Sequence, residues 1–204
     1  MEITTYKLKV IFTEDMLGTT PLNEEVYSDY IASKHPDGQA AGDKELETLE
    51  ESTIRGKTGF HRDGDGNIVI MDYMLKGFFK ESWQKCREHK SSVSKELKAG
   101  KNKLTGHLFV GDRYIKVSVK GDTYTLERPL RAETAQGPRV ALAASESVPA
   151  GSYFETTLEV LAPHLITEEL LRELLDYGKY MGFGQWRSGG YGRFTYALTP
   201  VAQA

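Results

Sequence analysis

The chain of 204 residues has one cysteine, Cys86. A single thiol excludes an internal disulfide and a cysteine-rich zinc site, and it fits a reducing compartment. Apolar runs are short, and none approaches the ~20 residues that a membrane-spanning helix needs. Residues 1–5 have neither a basic start nor a long apolar stretch, so no secretory signal is expected, and a cytoplasmic protein with no membrane partner is. The five histidines, His35, His61, His89, His107 and His164, are scattered, and no two have the spacing of metal ligands on one helix face. A GxxxxGK phosphate loop, a serine-nucleophile motif and a dinucleotide fingerprint are all missing. Asp63, Asp65 and Asn67 begin like a calcium loop. Six residues after Gly66, however, stands Asp72 and not the closing glutamate, so a turn is the better reading. No metal and no other cofactor is expected.

Apolar residues make up 39% of the chain, enough for a core. The length fits one domain, with room for a sizeable insertion. Net charge is −3, which by itself argues against a nucleic-acid binder. Its distribution argues the other way. Residues 1–70 hold 7 basic and 14 acidic side chains, residues 71–139 hold 15 and 8, and residues 140–204 hold 4 and 7. The middle third is a basic footprint in an acidic protein, read either as a nucleic-acid surface or as a solvated basic face.

Tyr6–Phe12 alternates and is rich in β-formers, so it is read as a first strand. Residues 13–58 behave as an insertion: a loop over 13–23, a helix over 24–33 capped by Asn23, a polar loop, and a charged helix over 43–52. Ile68–Ile70 is strand-like. Residues 72–88 form an amphipathic helix with Leu75, Phe78, Phe79 and Trp83 on one face and Lys76, Lys80 and Lys85 off it. Residues 89–104 are Lys/Ser-rich and expected to be exposed. Short strands follow over 107–110, 114–119 and 123–127. Arg128–Pro138 is polar and basic, an extended hairpin or a flexible surface loop. Tyr153–Leu161 alternates, with Phe154, Thr156, Leu158 and Val160 on one face. Thr167 caps a helix to about Met181, striped by Leu170, Leu171, Leu174, Leu175 and Gly178, and its Glu168 and Glu169 suit the N-terminal dipole. A last strand spans 193–198. This order gives an α+β class with an antiparallel sheet and helices on one face. A ferredoxin-like (RRM-like) βαββαβ core accommodates it.

Between the last helix and the last strand lie five glycines in eleven residues: Gly182, Gly184, Gly189, Gly190 and Gly192. Glycine permits positive φ and close backbone approach, and successive free N–H groups in such a loop cradle phosphate oxygens. Arg187 adds a charge suited to phosphate. Gln185 and Trp186 sit beside it, and Trp186 is either a base-stacking platform or a core residue.

Four elements occur in order: Met16–Leu22; Arg62–Ile70 followed by Leu75–Lys80; Arg128–Arg139 followed by Glu146–Glu155; and the glycine loop ending at Arg193. Together they resemble the RAMP superfamily, and most closely the backbone subunits that polymerise along the guide RNA of CRISPR effector complexes. The chain is also similar to small phage-borne proteins of this type. The resemblance covers most of 5–197. It implies phosphate contact by Lys76 and Gly77, which in that family open the first helix, although here Met71–Met74 replace small polar residues. It implies that residues 128–139 form a thumb-like hairpin that contacts guide nucleotides and the neighbouring subunit, with Arg128, Arg131, Arg139 and Gln136 as contacts.

The expected function is therefore single-stranded RNA or guide-RNA binding without catalysis, through Lys76, Lys80, Arg187 and the glycine loop, in a homo-oligomer or beside other CRISPR effector subunits. Two alternatives stay open. One is an anti-defence protein that mimics or replaces a backbone subunit. The other is an endoribonuclease, for which His35, His61 and Asp15 are the candidate catalytic residues, the histidines being read otherwise as solvent-exposed.

Overall fold

The computed structural model describes residues 2–22, 57–134 and 137–202, and the backbone alone within 129–142. β1 (Thr4–Phe12) alternates as its sequence does, burying Tyr6, Leu8, Val10 and Phe12. β11 (Tyr153–Val160) does the same with Phe154, Thr156, Leu158 and Val160. The two pair antiparallel along their length, from Thr4 opposite Val160 to Ile11 opposite Tyr153. β12 (Phe194–Pro200) pairs with the other edge of β1. Beyond β11 come β7 (Leu108–Val110) and β8 (Tyr114–Ser118), then β6 (Ile68–Met71) and β5 (His61–Arg62), all antiparallel. The strand order is β12-β1-β11-β8-β6-β5, with β7 also on β11.

Helix α1 (Asp72–Cys86) and helix α3 (Glu168–Met181) cover the apolar side of this sheet. α1 buries Leu75, Phe78, Phe79, Ser82, Trp83 and Cys86. α3 buries Leu170, Leu171, Leu174, Leu175 and Gly178, and the Thr167 hydroxyl accepts the Leu170 N–H as an N-cap. Phe78 ties the layers together, with ring centroids 5.5 Å from Phe194 and 6.2 Å from Phe183. Burial of such side chains contributes roughly 1.5–3 kcal/mol each.

A second sheet holds β2 (Met16–Leu17), β10 (Gly137–Val148), β4 (Lys57–Gly59) and β3 (Thr20–Pro21) in that order, with β9 (Tyr124–Thr134) on β10. β9 and β10 form a long hairpin, from Tyr124 opposite Ser147 to Thr134 opposite Gly137. β4 runs parallel to β10.

Three sequence expectations are corrected. Residues 13–23 are not simply a loop, because β2 and β3 join the second sheet within them. Residues 89–104 are not simply exposed. A 3-10 turn (Val93–Lys95) and helix α2 (Gly100–His107) form there, with Ser94, Leu97 and Leu104 buried. The strand read as Thr123–Glu127 extends to Thr134, since hairpin pairing continues through the polar residues. The helices read over 24–33 and 43–52, and His35 and Gln136, lie outside the described residues.

Candidate nucleic-acid interface

The glycine loop is closed by its own hydrogen bonds. The N–H of Gly182 donates to the Gly178 carbonyl, that of Phe183 to Gly192, of Gln185 to Leu17, of Gly189 to Trp186, of Gly190 to Arg187 and of Gly192 to Asp15. Most of the N–H groups expected to face phosphate are therefore spent inside the protein. The glycines serve close packing. Gly184 has φ +92°, and a Cβ there would stand 2.6 Å from the Leu17 carbonyl oxygen. Gly192 has φ +71° and lies against the Phe183 carbonyl. A side chain at either position would push the loop off β2 or off the start of β12.

Trp186 is not a core residue. It has φ +51° and is 40% exposed. Its ring stacks on Tyr191 at 5.1 Å and 18°. The Arg128 guanidinium, rooted in β9, lies 4.8 Å from the Trp186 ring centroid. Arg128 is only 6% exposed, and its Nη1 donates to the Ser145 hydroxyl at 3.1 Å. Ser145 donates in turn to Gln185 Oε1 at 2.7 Å, and Thr58 reaches both at 2.9 and 3.0 Å. A hydroxyl network thus bolts the foot of the β9–β10 hairpin to the glycine loop. Arg128 Nε has no hydrogen-bond partner among the described residues. No carboxylate is ion-paired to this guanidinium among the described residues.

Asp15 is tied in place. Its Oδ1 accepts the Ala150 N–H at 2.8 Å, its Oδ2 accepts the Tyr124 hydroxyl, and its carbonyl accepts the Gly192 N–H. The Asp15 hydrogen bond is the largest cause holding the Tyr124 hydroxyl above its usual pKa. Beside this latch an open groove of about 480 Å³ is lined by Glu14, Asp15, Ser188, Gly189, Gly190, Tyr191 and Arg193. Arg193 is exposed and would lie 3.8 Å from a Cβ on Gly190.

Arg187 points elsewhere. Its two Nη atoms grip the Glu81 carboxylate of α1 at 2.9 and 3.1 Å. Lys76 is the fifth residue of α1, past its first turn, and its Nζ lies 4.5 Å from the Phe109 ring centroid. Asp72 does not cap the helix; it pairs with Arg113 at 2.6 Å. A Cβ on Gly77 would meet no atom within 4 Å among the described residues. Lys80 is half-buried on the same helix. Arg131 and Arg139 lie on β9 and β10, opposite Val140 and Ala132.

His61 is not a solvent histidine. It is 1% exposed on β5, and burial first, then the charge of Arg113, lowers its pKa to about 4. Such a group is neutral at pH 7. Asp63 is spent on a turn: it accepts from the N–H groups of Asp65 and Asn67 and from the Asn67 amide. Among the described residues no group of three or more His, Cys, Asp or Glu is placed to hold a metal ion, and no helix is long and apolar enough to cross a membrane.

The structure thus joins Arg128, Gln185 and Trp186, and leaves Arg187, Lys76, Gly77 and Lys80 along α1. The sequence reading missed Tyr191, Tyr124, Ser145, Thr58 and Arg193. Tyr191 and Arg193 had a signal, as an aromatic and a cation within or next to the glycine run. The others are single hydroxyl residues that only the second sheet brings near.

No family model matches the sequence, and no curated protein matches it. The fold is shared with solved structures. A chain in the cryo-EM structure of the Type III-B Cmr-beta bound to cognate target RNA aligns with a TM-score of 0.52 at 10% identity, over 98% of this chain and 62% of that one. The present chain thus spans less than two thirds of that protein's length. A chain of a Type IV-B CRISPR complex aligns with a TM-score of 0.51 at 12% identity, over 98% of this chain and 92% of that one.

Proposed function

We propose that this protein is a non-catalytic subunit of a CRISPR-type ribonucleoprotein that holds single-stranded RNA by its backbone. The observation that carries the reading is the seam between hairpin and glycine loop. Segments some 60 residues apart in sequence place Arg128 against Trp186, whose ring stacks on Tyr191, and Tyr191 lines an open groove with Arg193. Aromatic faces take any base, the exposed Arg193 takes phosphate and the buried Arg128 fixes Trp186, so such a seam binds a strand without reading its sequence. The shared fold supports the assignment to this kind of complex. A ferredoxin-like βαββαβ core of the RAMP type is supported by the β12-β1-β11-β8 order, with α1 and α3 as the two crossover helices. In this reading the chain is one domain, residues 13–58 contain the insertion, and the β9–β10 hairpin is the thumb that reaches along the strand to the next subunit.

The test is fluorescence anisotropy with a labelled single-stranded oligoribonucleotide. Trp186→Ala should weaken binding by about 1–3 kcal/mol, the usual worth of one stacked base, equally for oligouridylate and oligoadenylate. Unchanged affinity in this variant sinks the assignment of the seam.

A further inference from the structure

The stretch from Arg87 to Lys103 combines a composition that normally stays loose with a fixed scaffold. It carries Arg87, Lys90, Lys95, Lys98, Lys101 and Lys103, against only Glu88 and Glu96. Lysine and serine at this density favour a mobile chain. Here the backbone is pinned. The Glu173 carboxylate of α3 accepts from the Val93 and Ser94 N–H groups and from the Ser92 and Ser94 hydroxyls, at 2.5–3.0 Å. The Trp83 indole N–H donates to the Ser94 carbonyl at 3.0 Å, and Leu97 and Leu104 are buried. Gly100 lies directly against the Trp83 ring.

The cations stand on the outside of this scaffold. None of the six is ion-paired to a carboxylate among the described residues; Glu88 is taken by Lys85 at 3.8 Å. Arg87 is held over the Trp83 ring at 5.0 Å. Five of the six are exposed and Lys103 is half-buried. None of the exposed large apolar side chains falls between residues 84 and 107. Protein interfaces are poor in lysine and centre on aromatic and apolar anchors, and an interfacial membrane helix needs an apolar face to insert. A fixed cationic surface with neither suits a partner recognised by charge density alone. The phosphate backbone of a nucleic acid is that partner.

The patch is separate from the seam. α3 leads into the glycine loop at its C-terminal end, whereas the patch is anchored on Glu173, eight residues earlier than Met181. At 1.5 Å per residue that is about 12 Å along the helix. We infer that residues 87–103 form a second, sequence-independent RNA-phosphate surface, distinct from the seam between the hairpin and the glycine loop. It would hold a second segment of the strand, or a second strand, against the helix layer.

The test uses the full chain and a fluorescein-labelled 20-nucleotide oligouridylate, titrated at several salt concentrations. The variant Lys95→Gln/Lys98→Gln/Lys101→Gln/Lys103→Gln is compared with wild type and with Trp186→Ala. The expected result is a roughly tenfold or greater loss of affinity, with the slope of log K against log salt falling by about 2–3, at about 0.7 per phosphate contact. Trp186→Ala should leave the slope nearly unchanged. If the quadruple variant melts lower than wild type, Lys98→Gln alone should still lower the slope by about 0.7. Loss in the quadruple variant with none in Trp186→Ala would support the patch while removing the seam. Wild-type affinity and slope in the quadruple variant would overturn the inference. So would absence of RNA binding by wild type, or binding to phosphatidylserine vesicles that the quadruple variant loses while keeping RNA.

Discussion

His61 couples the stability of the fold to pH. Its pKa of about 4 in the folded protein is below the ordinary 6.5, because burial penalises the charged ring and Arg113 adds repulsion. The sign follows directly. Above pH 6.5 both states hold the neutral ring and no penalty arises. Between 6.5 and 4 the unfolded chain takes up a proton that the folded one refuses, so stability falls as pH falls. The melting temperature should drop from pH 7 to pH 5, and His61→Gln should flatten that slope; an equally steep slope in the variant would refute the assignment. Cys86 is pushed up to about 11, by burial first and then by Glu173 and Asp176, so in the native state it should resist alkylation at pH 8. Arg187 shows how a local reading of sequence falls short. Its position among glycines suggested a free phosphate ligand, but Glu81, more than a hundred residues away, already fills the guanidinium fork. A phosphate must displace that carboxylate. Glu81→Gln is therefore expected to raise RNA affinity a few-fold, and Arg187→Ala to lower it for all sequences alike. No change in either variant would remove Arg187 from the interface.

At the scale of elements, α1 sets helix stability against the RNA contact proposed for it. Gly77 sits inside the helix, where glycine costs roughly 1 kcal/mol relative to alanine. Among the described residues nothing occupies the space above it. Gly77→Ala should raise the melting temperature and, if RNA lies close to the helix beside Lys76, weaken binding. A variant that is more stable and binds equally well would leave Gly77 without a role in RNA contact. In the glycine loop the opposite holds, and Gly192→Ala should destabilise strongly because the Phe183 carbonyl fills the site. The elements with strong periodicity were legible from sequence: β1, β11, α1 and α3 each have a pattern that one buried face explains. α2 was not, because its eight residues GKNKLTGH include two glycines and only one buried large apolar side chain, Leu104. Its helicity comes from docking on Trp83. β2 and β3 were missed because two-residue strands have no period to read; they exist only through pairing with β10 and β4.

At the scale of the whole molecule, the fold class could be read because alternation and amphipathic stripes dictate layers. The site could be read only in part. Which residues meet depends on the second sheet, where β10 joins the distant segments Met16–Leu17, Lys57–Gly59 and Tyr124–Thr134. That sheet placed Ser145 and Arg128 against the glycine loop, a contact no local spacing encodes. The same sheet supplies the Tyr124 hydroxyl that Asp15 accepts, and β5 carries His61 into the interior. Charge acts at this scale too. A protein of net charge −3 that presents a basic middle third should bind polyanions in low salt and release them steeply as salt rises. The measurement that tests the central claim most directly is the mass and the 260/280 nm absorbance ratio of the purified protein on size exclusion, before and after ribonuclease. A large, nucleic-acid-rich species that collapses to monomer on ribonuclease treatment is the expected result. A clean protein peak that takes up no added single-stranded RNA would contradict it.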